Sequence, residues 1–321
     1  MVARGYAVCT LVLGLLTSCN SAFDTYFPQS VEYLETQTSL SSPLGGQAAA
    51  SVLMGYLPAT TAHTNDILVM VAATQDGATH VLFFDPRNLS LKRSYGDTDL
   101  KNQFGGTLPN LNLIAQDTYG VYTGAAAYNP QTLDFEAAPS GAYGTLFPVV
   151  NPLATRVTFD GNSSVFFGSS NSNLAYQTSP QYVALTSPLL PAPISGASNT
   201  TVLDLSYWSG TYSLVVSDSG SRVYLLRSGA VASLVPPAAT LSGSGSGSLL
   251  GWATSTAAVV QGQANGNISL TAYSWTGSAL GTLQLNKSSQ QINAITFQPN
   301  GASWFLFDSS TGKLSRNRPW W

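Results

Sequence analysis

Paired acidic residues are the first positions in this chain whose types and spacing could support chemistry. Asp97 and Asp99 form an Asp-x-Asp pair, a spacing at which two carboxylates can hold a divalent cation through oxygen ligands. Asp134 and Glu136 are two residues apart and would share one face of a strand, where paired carboxylates can cleave glycosides. The simpler interpretations are a polar loop for the first pair and a solvent-facing outer strand for the second. We therefore predict no catalytic residue, no metal site and no cofactor.

A third acidic position has a weak likeness to a known motif. Asp218-Ser219-Gly220 resembles the Asp-box turn of sialidases, but the expected Ser before it and Trp after it are out of register. Sialidase chemistry also needs three arginines, and only Arg222 and Arg227 lie nearby. This motif therefore does not predict a sialidase.

The overall composition excludes several other functions. The two histidines, His63 and His80, are too few to indicate a zinc site, and both cysteines, Cys9 and Cys19, lie near the start. The net charge is −3 and only 8% of residues are charged, so the clustered basic footprint of a nucleic-acid-binding protein is missing. The sequence contains no run of eighteen apolar residues, so no membrane-spanning helix is predicted.

Repeated hairpins must position any site in this chain. Residues 295–314 form the clearest unit, with two alternating apolar runs around the Asn300-Gly301 turn and a second turn from Asp308 to Gly312. Six such hairpins can be placed from residue 66 onwards, with a spacing of about 45 residues, which is typical of four-stranded propeller blades. The turn glycines that set this spacing are Gly77, Gly120, Gly161, Gly210 and Gly301.

A second turn supports the repeat. Segments beginning with Asp85, Asn129 and Asp308 share one design, in which an Asx residue opens the turn and an apolar residue starts the next strand. The pentapeptide Phe297-Gln-Pro-Asn-Gly301 resembles the hairpin of WD-repeat-like and quinoprotein-like β-propellers, although the Trp-Asp signature is absent. The resemblance implies an all-β β-propeller over residues 49–321, with six or alternatively seven blades of four antiparallel strands.

Three further segments lead to structural expectations. Residues 20–65 either supply strands that complete a blade shared by both termini or build part of a seventh blade. Trp320 and Trp321 are expected to pack where the ring closes, and Ser242–Ser248 is interpreted as a long loop between blades. Loops that differ between copies, such as Asp97–Gly106 and Ser187–Ser195, are the expected places for function.

The first residues predict a targeting signal. Arg4 and the apolar stretch Tyr6–Leu16 are followed by Leu16-Thr-Ser-Cys19, which resembles the bacterial lipobox. The resemblance implies a lipoprotein signal peptide over residues 1–18, cleavage before Cys19, lipidation of Cys19, and a tether over 19–48 that leads into the propeller. Asn20 resembles the outer-membrane class of sorting signal. An ordinary signal peptide is the alternative, and it would leave Cys19 unpaired.

Together these features predict a lipid-anchored protein of the bacterial cell envelope at the outer membrane. Its propeller is expected to be a non-enzymatic binding or scaffolding module for an envelope protein or glycan. The alternative is a propeller enzyme acting on cell-envelope carbohydrate. Several acids at the propeller axis, or acids with arginines, would favour the enzyme, whereas an axis of apolar side chains, Ser and Thr would favour the binding module.

Overall fold

The structure is a computed structural model, and it shows a ring of antiparallel β-sheets. Successive strands are neighbours within each sheet, and the N-terminal strand joins the sheet formed by the last three strands. Sheets 1 to 6 are numbered by the chain order of their first strands. The residues that the structure describes are 33–61, 63–136, 154–161, 164–169, 174–178, 194, 197, 199–219, 222–230, 234, 237–241, 250–264, 266–285 and 292–321.

The first three sheets follow one another along the chain. Sheet 1 consists of β2 (Ala49–Leu57), β3 (Ile67–Thr74), β4 (Thr79–Phe84) and β5 (Leu91–Tyr95). Sheet 2 consists of β6 (Ile114–Gln116), β7 (Val121–Thr123), β8 (Ala126–Tyr128) and β9 (Phe135–Glu136). Sheet 3 consists of β10 (Ala154–Phe159), β11 (Ser164–Ser169) and β12 (Leu174–Thr178).

The last three sheets each have four strands. Sheet 4 consists of β13 (Thr201–Trp208), β14 (Thr211–Ser217), β15 (Val223–Ser228) and β16 (Ala239–Leu241). Sheet 5 consists of β17 (Gly251–Ala253), β18 (Ala258–Ala264), β19 (Asn267–Tyr273) and β20 (Ala279–Gln284). Sheet 6 consists of β21 (Ile292–Phe297), β22 (Trp304–Asp308), β23 (Lys313–Asn317) and the N-terminal strand β1 (Leu34–Ser39).

The first strands of the sheets form a closed ring around a central axis. Each of β2, β6, β10, β13, β17 and β21 contacts the next one, and β21 returns to β2. The fold is therefore an all-β β-propeller, as predicted. The expected six or seven blades of four strands are corrected to five four-stranded blades plus sheet 3, which has three strands among the described residues.

Burial follows the position of a strand within its sheet. The middle strands are buried on both faces, as in β22, where all five residues are buried, and β14, where five of seven are buried. The outer strand β5 exposes four of its five residues. Middle strands are buried because neighbouring sheets cover both of their faces, so they appear in the sequence as continuous apolar runs rather than as alternating patterns.

Glycines allow the closest approaches between neighbouring sheets. A Cβ added at Gly55 on β2 would lie 2.9 Å from the side chain of Ile114 on β6, and one at Gly251 on β17 would lie 2.9 Å from Val215. Small side chains also lie inside the sheets, where Ala72 and Ala258 are fully buried. The tightest contacts between sheets nevertheless depend on positions without a side chain.

The ring closes through the N-terminal strand. β1 pairs antiparallel with β23, so sheet 6 combines strands from both ends of the chain, which was one of the two expectations for residues 20–65. Glu35 accepts a salt bridge from Arg316 at 3.0 Å. Trp320 and Trp321 pack against the cluster between sheets 5 and 6, with Tyr33 beside them, which confirms the expected packing at the closure.

The predicted turns are present, but turns of one type do not join the same pair of strands in every sheet, as the predicted repeat required. Gly120, Gly161 and Gly210 lie between first and second strands, whereas Gly77 lies between the second and third strands of sheet 1. The Asx turn at Asp85 joins third and fourth strands, but that at Asp308 joins second and third. The two types of turn therefore mark successive hairpins and not fixed positions in one blade.

Among the residues that the structure describes, one helix interrupts the strands. Helix α1 (Asp97–Gln103) lies between sheets 1 and 2, where a loop was expected. Within the described ranges no helix has the length and apolar character needed to cross a membrane. Several predictions concern residues outside the described ranges. These are the signal peptide over residues 1–18, the lipidation of Cys19, the loop Ser242–Ser248, and all of the loop Ser187–Ser195 except Ile194.

Candidate functional site: the axial channel

The first strands of all six sheets line one cavity at the propeller axis. Its volume is about 290 Å³, and its wall combines apolar and polar surface. Its polar and charged side chains are Asn112, Gln116, Arg156, Thr158, Asp204, Ser206 and Thr296, and Tyr56 and Tyr207 also line it. The channel therefore has a mixed lining, in which the charged residues are Arg156 and Asp204.

Asp204 on β13 is the one carboxylate that lines the channel in the described part of the chain. Its Oδ2 accepts a hydrogen bond of 2.7 Å from the backbone N–H of Ala253 on β17. Burial raises the pKa of Asp204, and the Arg156 guanidinium and the N–H groups of Ala253 and Leu205 oppose this rise only in part. The carboxyl group is therefore held by two neighbouring sheets in a place that disfavours its charge.

Arg156 on β10 supplies the cation of the channel. Its Nε lies 3.7 Å from Oδ1 of Asp204, which is within ion-pair range but longer than a hydrogen bond. The Arg156 side chain is 40% exposed and that of Asp204 is 20% exposed. One negative and one positive group thus face each other across sheets 3 and 4, and the described lining carries no net charge.

Ser206 is two residues after Asp204 on the same strand. The residue is 7% exposed, and its Oγ has no hydrogen-bond partner among the described residues. A buried hydroxyl without a partner costs about 1–3 kcal/mol relative to a satisfied one. The oxygen itself has under 1 Å² of accessible surface, so protein atoms enclose it and separate it from the channel.

Gln116 connects the channel to one face of the propeller. Its Oε1 lies 2.9 Å from Nε2 of His63, and its Nε2 donates to the carbonyl of Pro58 at 3.2 Å. Nδ1 of His63 lies 2.8 Å from the carbonyl oxygen of Asn65. Both His63 and Gln116 are buried, so this network fixes the loop between β2 and β3 against sheet 2.

A second cavity of about 550 Å³ lies beside that loop, between sheets 1 and 2. Asp85 is its buried acid, and it accepts hydrogen bonds of 3.1 Å from both Nε and Nη2 of Arg87. The Arg87 guanidinium lowers the pKa of Asp85, with burial opposing it. Lys92 Nζ lies 3.6 Å from the same carboxylate. Asp85, Arg87 and Lys92 thus form one ion-pair cluster in this cavity, whereas Asp66, which also lines it, accepts the backbone N–H of Ala59 at 2.7 Å.

The structure gives structural roles to the acids of the Asp97-x-Asp99 pair. Asp99 Oδ2 accepts the N–H of Gly96 at 2.9 Å, which caps helix α1. Asp97 Oδ2 forms a 2.7 Å salt bridge with Lys101, whose ammonium group lowers the pKa of Asp97. The two carboxylates thus point to different partners. Among the described residues no group of three His, Cys, Asp or Glu is placed to hold a metal ion.

Asp134 and Glu136 also have separate partners. Asp134 forms an ion pair with Arg93 on β5, and Glu136 accepts a hydrogen bond of 2.8 Å from Asn129. Both acids belong to the outer part of sheet 2, and neither lines the axial channel. The interpretation as an outer strand is therefore confirmed.

Asp218 belongs to the turn that follows β14. It accepts hydrogen bonds from Nε of Arg222 and from the hydroxyl of Tyr224, each at 2.9 Å, and a salt bridge of 2.7 Å from Arg222 Nη2. Arg227 stacks on Trp275 instead, with its guanidinium carbon 5.7 Å from the ring centre. These arginines do not converge on one site, so the geometry gives no support for the Asp-box resemblance.

The polar residues of the channel were missed in the sequence. Asp204 interrupts an apolar strand between Leu203 and Leu205, and Arg156 comes directly before Val157 on another. A charged residue inside a buried strand was the available signal. It becomes informative only once the strands are known to be first strands, because all of these line the axis.

Comparisons with known proteins add no functional assignment. No protein-family model and no curated protein matches the sequence. Among solved structures, the chain is similar to the WD40 domain of Neurospora crassa Pan2, with 10% identity over 89% of this chain and 95% of that chain and a TM-score of 0.45. It is also similar to the β-propeller domain of Myceliophteria thermophila Cps50 (Swd1), with 9% identity, 85% and 99% coverage and a TM-score of 0.47. Neither likeness bears on what this chain binds.

Proposed function

We propose that the protein is a lipoprotein anchored through Cys19 in the outer membrane of a bacterial envelope, and that its propeller is a non-enzymatic binding module for an envelope protein or glycan. The observation that carries the non-enzymatic part is the single carboxylate of the channel lining. Glycosidases position two carboxylates roughly 5–10 Å apart. Asp204 is the one acid of the described lining, and the Ala253 N–H already occupies one of its oxygens.

A binding role agrees with the remaining features of both cavities. Each contains an ion pair within the protein, Asp204 with Arg156 in the channel and Asp85 with Arg87 in the second cavity. In a propeller, a rigid ring of sheets presents turns and loops on two faces. Recognition residues usually lie on such loops. The second cavity opens among turns of one face, between residues 61–67, 84–92 and 130–133. This face is therefore the proposed contact surface for the partner.

The alternative function is an enzyme acting on envelope carbohydrate, and it has one observation in its favour. Asp204 carries a raised pKa beside an arginine, which is a combination found at active sites. The purified full-length protein should nevertheless leave isolated envelope glycans uncleaved. Hydrolysis that is lost in the Asp204→Asn variant would favour the enzyme and overturn the binding module.

The anchor and the partner are tested together in intact cells. Mass spectrometry of the mature protein should find acyl chains on Cys19, and Cys19→Ala should release the protein from the membrane fraction. Cys9→Ala is the matched control, because it lies in the apolar stretch and leaves the Leu16–Cys19 motif intact. Cross-linking in cells should capture one partner reproducibly with the wild type and Cys9→Ala. An unmodified Cys19, or no partner under any condition, would contradict the proposal.

A further inference from the structure

We propose that His63 is a pH-dependent link, which holds the loop between β2 and β3 firmly when its ring carries two protons and less firmly when it carries one. The inference needs neither the lipid anchor nor the partner. It rests on the proposed function only in its consequence, because this loop borders the second cavity on the face proposed to contact the partner. Its basis is a chain of three hydrogen bonds, from Asn65 through His63 and Gln116 to Pro58.

The two ends of this chain determine which groups donate. Both ends are backbone carbonyl oxygens, which only accept hydrogen bonds. Nδ1 of His63 lies 2.8 Å from the carbonyl oxygen of Asn65, so this bond needs a proton on Nδ1. At the other end, the atom of the Gln116 side chain that lies 3.2 Å from the carbonyl oxygen of Pro58 must be the amide nitrogen.

The middle bond then needs a second proton on the ring. With the amide nitrogen of Gln116 directed at Pro58, its Oε1 is the atom that lies 2.9 Å from Nε2 of His63. An amide oxygen only accepts, so Nε2 must be protonated as well, and the ring is an imidazolium. Turning the amide over does not avoid this, because it would place Oε1 against the carbonyl oxygen of Pro58. A neutral ring therefore leaves one of the three bonds unmade.

Burial gives the missing bond its importance. His63 is 3% exposed and Gln116 is 4% exposed, so water has little access to replace a lost partner. The backbone of His63 belongs to the loop that it fixes. The N–H of Thr60 donates to the carbonyl of His63 at 2.9 Å, and the N–H of His63 donates to Oγ1 of Thr60 at 3.4 Å. The position of the ring therefore sets the position of the loop.

Charged groups surround the link on several elements. Asp66 is on the same loop, and its Oδ1 accepts the N–H of Ala59 at 2.7 Å. Burial raises the pKa of Tyr56, so this channel residue stays neutral. The charged residues that line the second cavity are Asp85, Arg87 and Lys92, and those on the side of Gln116 are Asp117, Arg156 and Asp204. Both ring nitrogens of His63 are already directed at oxygens, so these charges act on the ring through space, and the two acceptors decide how many protons the link needs.

The direction of the pH response follows from this proton count. Histidine is the side chain that changes its charge between about pH 5 and pH 8. The complete link needs two protons on the ring, so it forms towards the acid end of this range and is lost towards the alkaline end. An arrangement that binds an additional proton is favoured as the pH falls. The loop, and with it one wall of the second cavity, should therefore be held more firmly in acid.

The first test is NMR of the ring nitrogens in the full-length protein in detergent micelles, with isotopically labelled histidine. The chain contains two histidines, so the His80→Gln variant assigns both sets of signals. His63 should carry two ring protons at about pH 5 and one at about pH 8. A ring with a single proton at both pH values, or with two protons at both, would overturn the proposal.

Two variants of Gln116 should move the loss of the second proton in opposite directions. Gln116→Leu removes the middle acceptor, so the ring should lose this proton at a lower pH than in the wild type. Gln116→Glu places a charged acceptor against Nε2, so the loss should occur at a higher pH. Thr296→Val is the matched control, because Thr296 lines the same channel from a different sheet, and it should cause no shift. Shifts of both Gln116 variants in the same direction, or no shift in either, would contradict the link.

Hydrogen exchange tests whether the link holds the loop. The Thr60 amide should be about tenfold better protected at about pH 5 than at about pH 8, after correction for the intrinsic exchange rate, because one hydrogen bond is lost. The Gly277 amide, which donates to Ser274 at 2.9 Å in a turn of sheet 5, should be protected equally at both. Equal protection of Thr60 at both pH values, or an unchanged pH response in His63→Gln, would overturn the proposal. Neither measurement uses the partner or the anchor, so failure of the proposed function leaves both results unchanged.

Discussion

Asp204 on β13 accepts a 2.7 Å hydrogen bond from the backbone N–H of Ala253 on β17, and so joins the first strands of sheets 4 and 5. Sheets 4 and 5 also pack through apolar side chains, such as Leu203 and Val215 against Ala258. A side chain of the axial channel therefore contributes directly to the assembly of the ring.

We expect Asp204→Ala to lower the free energy of unfolding by about 1–3 kcal/mol, because the buried N–H of Ala253 would lose its acceptor. Asp204→Asn retains a side-chain oxygen that can accept this bond, so its loss should be clearly smaller. Urea unfolding of both variants at neutral pH measures the difference. Equal losses for the two variants would show that the hydrogen bond to Ala253 contributes little.

Two buried turns, in sheets 2 and 4, each contain an aspartate that accepts a hydrogen bond from a tyrosine hydroxyl. The pKa of one aspartate is raised and that of the other is lowered. Asp117 Oδ1 accepts hydrogen bonds from the N–H of Gly120 at 2.9 Å and from the hydroxyl of Tyr122 at 3.0 Å, while Oδ2 has no partner among the described residues. Asp218 has the equivalent tyrosine in Tyr224 and also a salt bridge to Arg222. The arginine is the difference between the two turns.

The pH dependence of Asp117 follows from this difference. Burial raises the pKa of Asp117, and the N–H groups of Tyr119 and Gly120 and the Tyr122 hydroxyl offset the rise only in part. A raised pKa in the folded state means that stability is highest below the ordinary pKa and falls as the pH rises through the folded value. Asp117→Asn should therefore unfold at higher urea concentration than the wild type at neutral pH, and the difference should shrink towards acid pH.

Asp218→Asn is the comparison with the opposite sign. Burial alone would raise the pKa of Asp218, but the backbone N–H of Arg222, the Tyr224 hydroxyl and the Arg222 guanidinium outweigh it and lower the pKa. A lowered pKa contributes stability above the ordinary value, and this is lost as the pH falls through the folded value. Asp218→Asn should thus destabilise the protein at neutral pH. If Asp117→Asn and Asp218→Asn changed the stability at neutral pH in the same direction, the role of Arg222 would be contradicted.

The propeller could be predicted from the sequence because it rests on local signals. Alternating or continuous apolar runs separated by glycine turns produce hairpins wherever they occur, and the hairpins at Gly161, Gly210 and Gly301 appear as expected. The position of a hairpin within its sheet depends instead on which strand reaches the axis, and this is a tertiary property. Gly77 was for this reason given the same position in the repeat as Gly120 and Gly161, but it joins the second and third strands of its sheet and not the first and second.

The axial site could not be predicted in the same way. Arg156, Asp204 and Ser206 belong to two strands of different sheets, and only ring closure brings them to one cavity. The acids that attracted attention in the sequence, such as Asp97 and Asp99, were conspicuous because they are close in the chain. Because they are close in the chain, both lie at the N-terminal end of helix α1. There Asp99 caps the helix and Asp97 forms the salt bridge to Lys101.

Gly251 provides a test of the close packing between sheets 4 and 5. A methyl group at this position would lie 2.9 Å from Val215 Cγ1 and 3.1 Å from Leu203 Cδ1, both in a buried interface. Gly251→Ala should therefore lower the free energy of unfolding by about 1–3 kcal/mol through overpacking. In Gly229→Ala the new methyl group meets its nearest atom at an ordinary 3.6 Å, so this control should be near neutral in the same urea titration. A Gly251→Ala variant as stable as the control would show that the interface can move apart without cost.

Leu40 tests whether the N-terminal segment holds the ring closed. It follows β1, its N–H donates to the carbonyl of Gly312 at 2.9 Å, and its side chain is fully buried in a cluster with Phe305 and Leu68 between sheets 6 and 1. Leu40→Ala should cost about 2–5 kcal/mol of unfolding free energy, because it removes buried atoms and leaves a cavity.

Leu280→Ala is the matched control, since Leu280 is 46% exposed on the outer strand β20, and its cost should stay below about 0.5 kcal/mol. Hydrogen exchange adds a second measurement. Amides of β23, which pairs with β1, should exchange faster in Leu40→Ala, while those of β14 in sheet 4 should change less. Uniform acceleration of exchange across all sheets would instead mean that the ring opens as one unit. In that case β1 would be part of the core of the propeller and not a segment that detaches on its own.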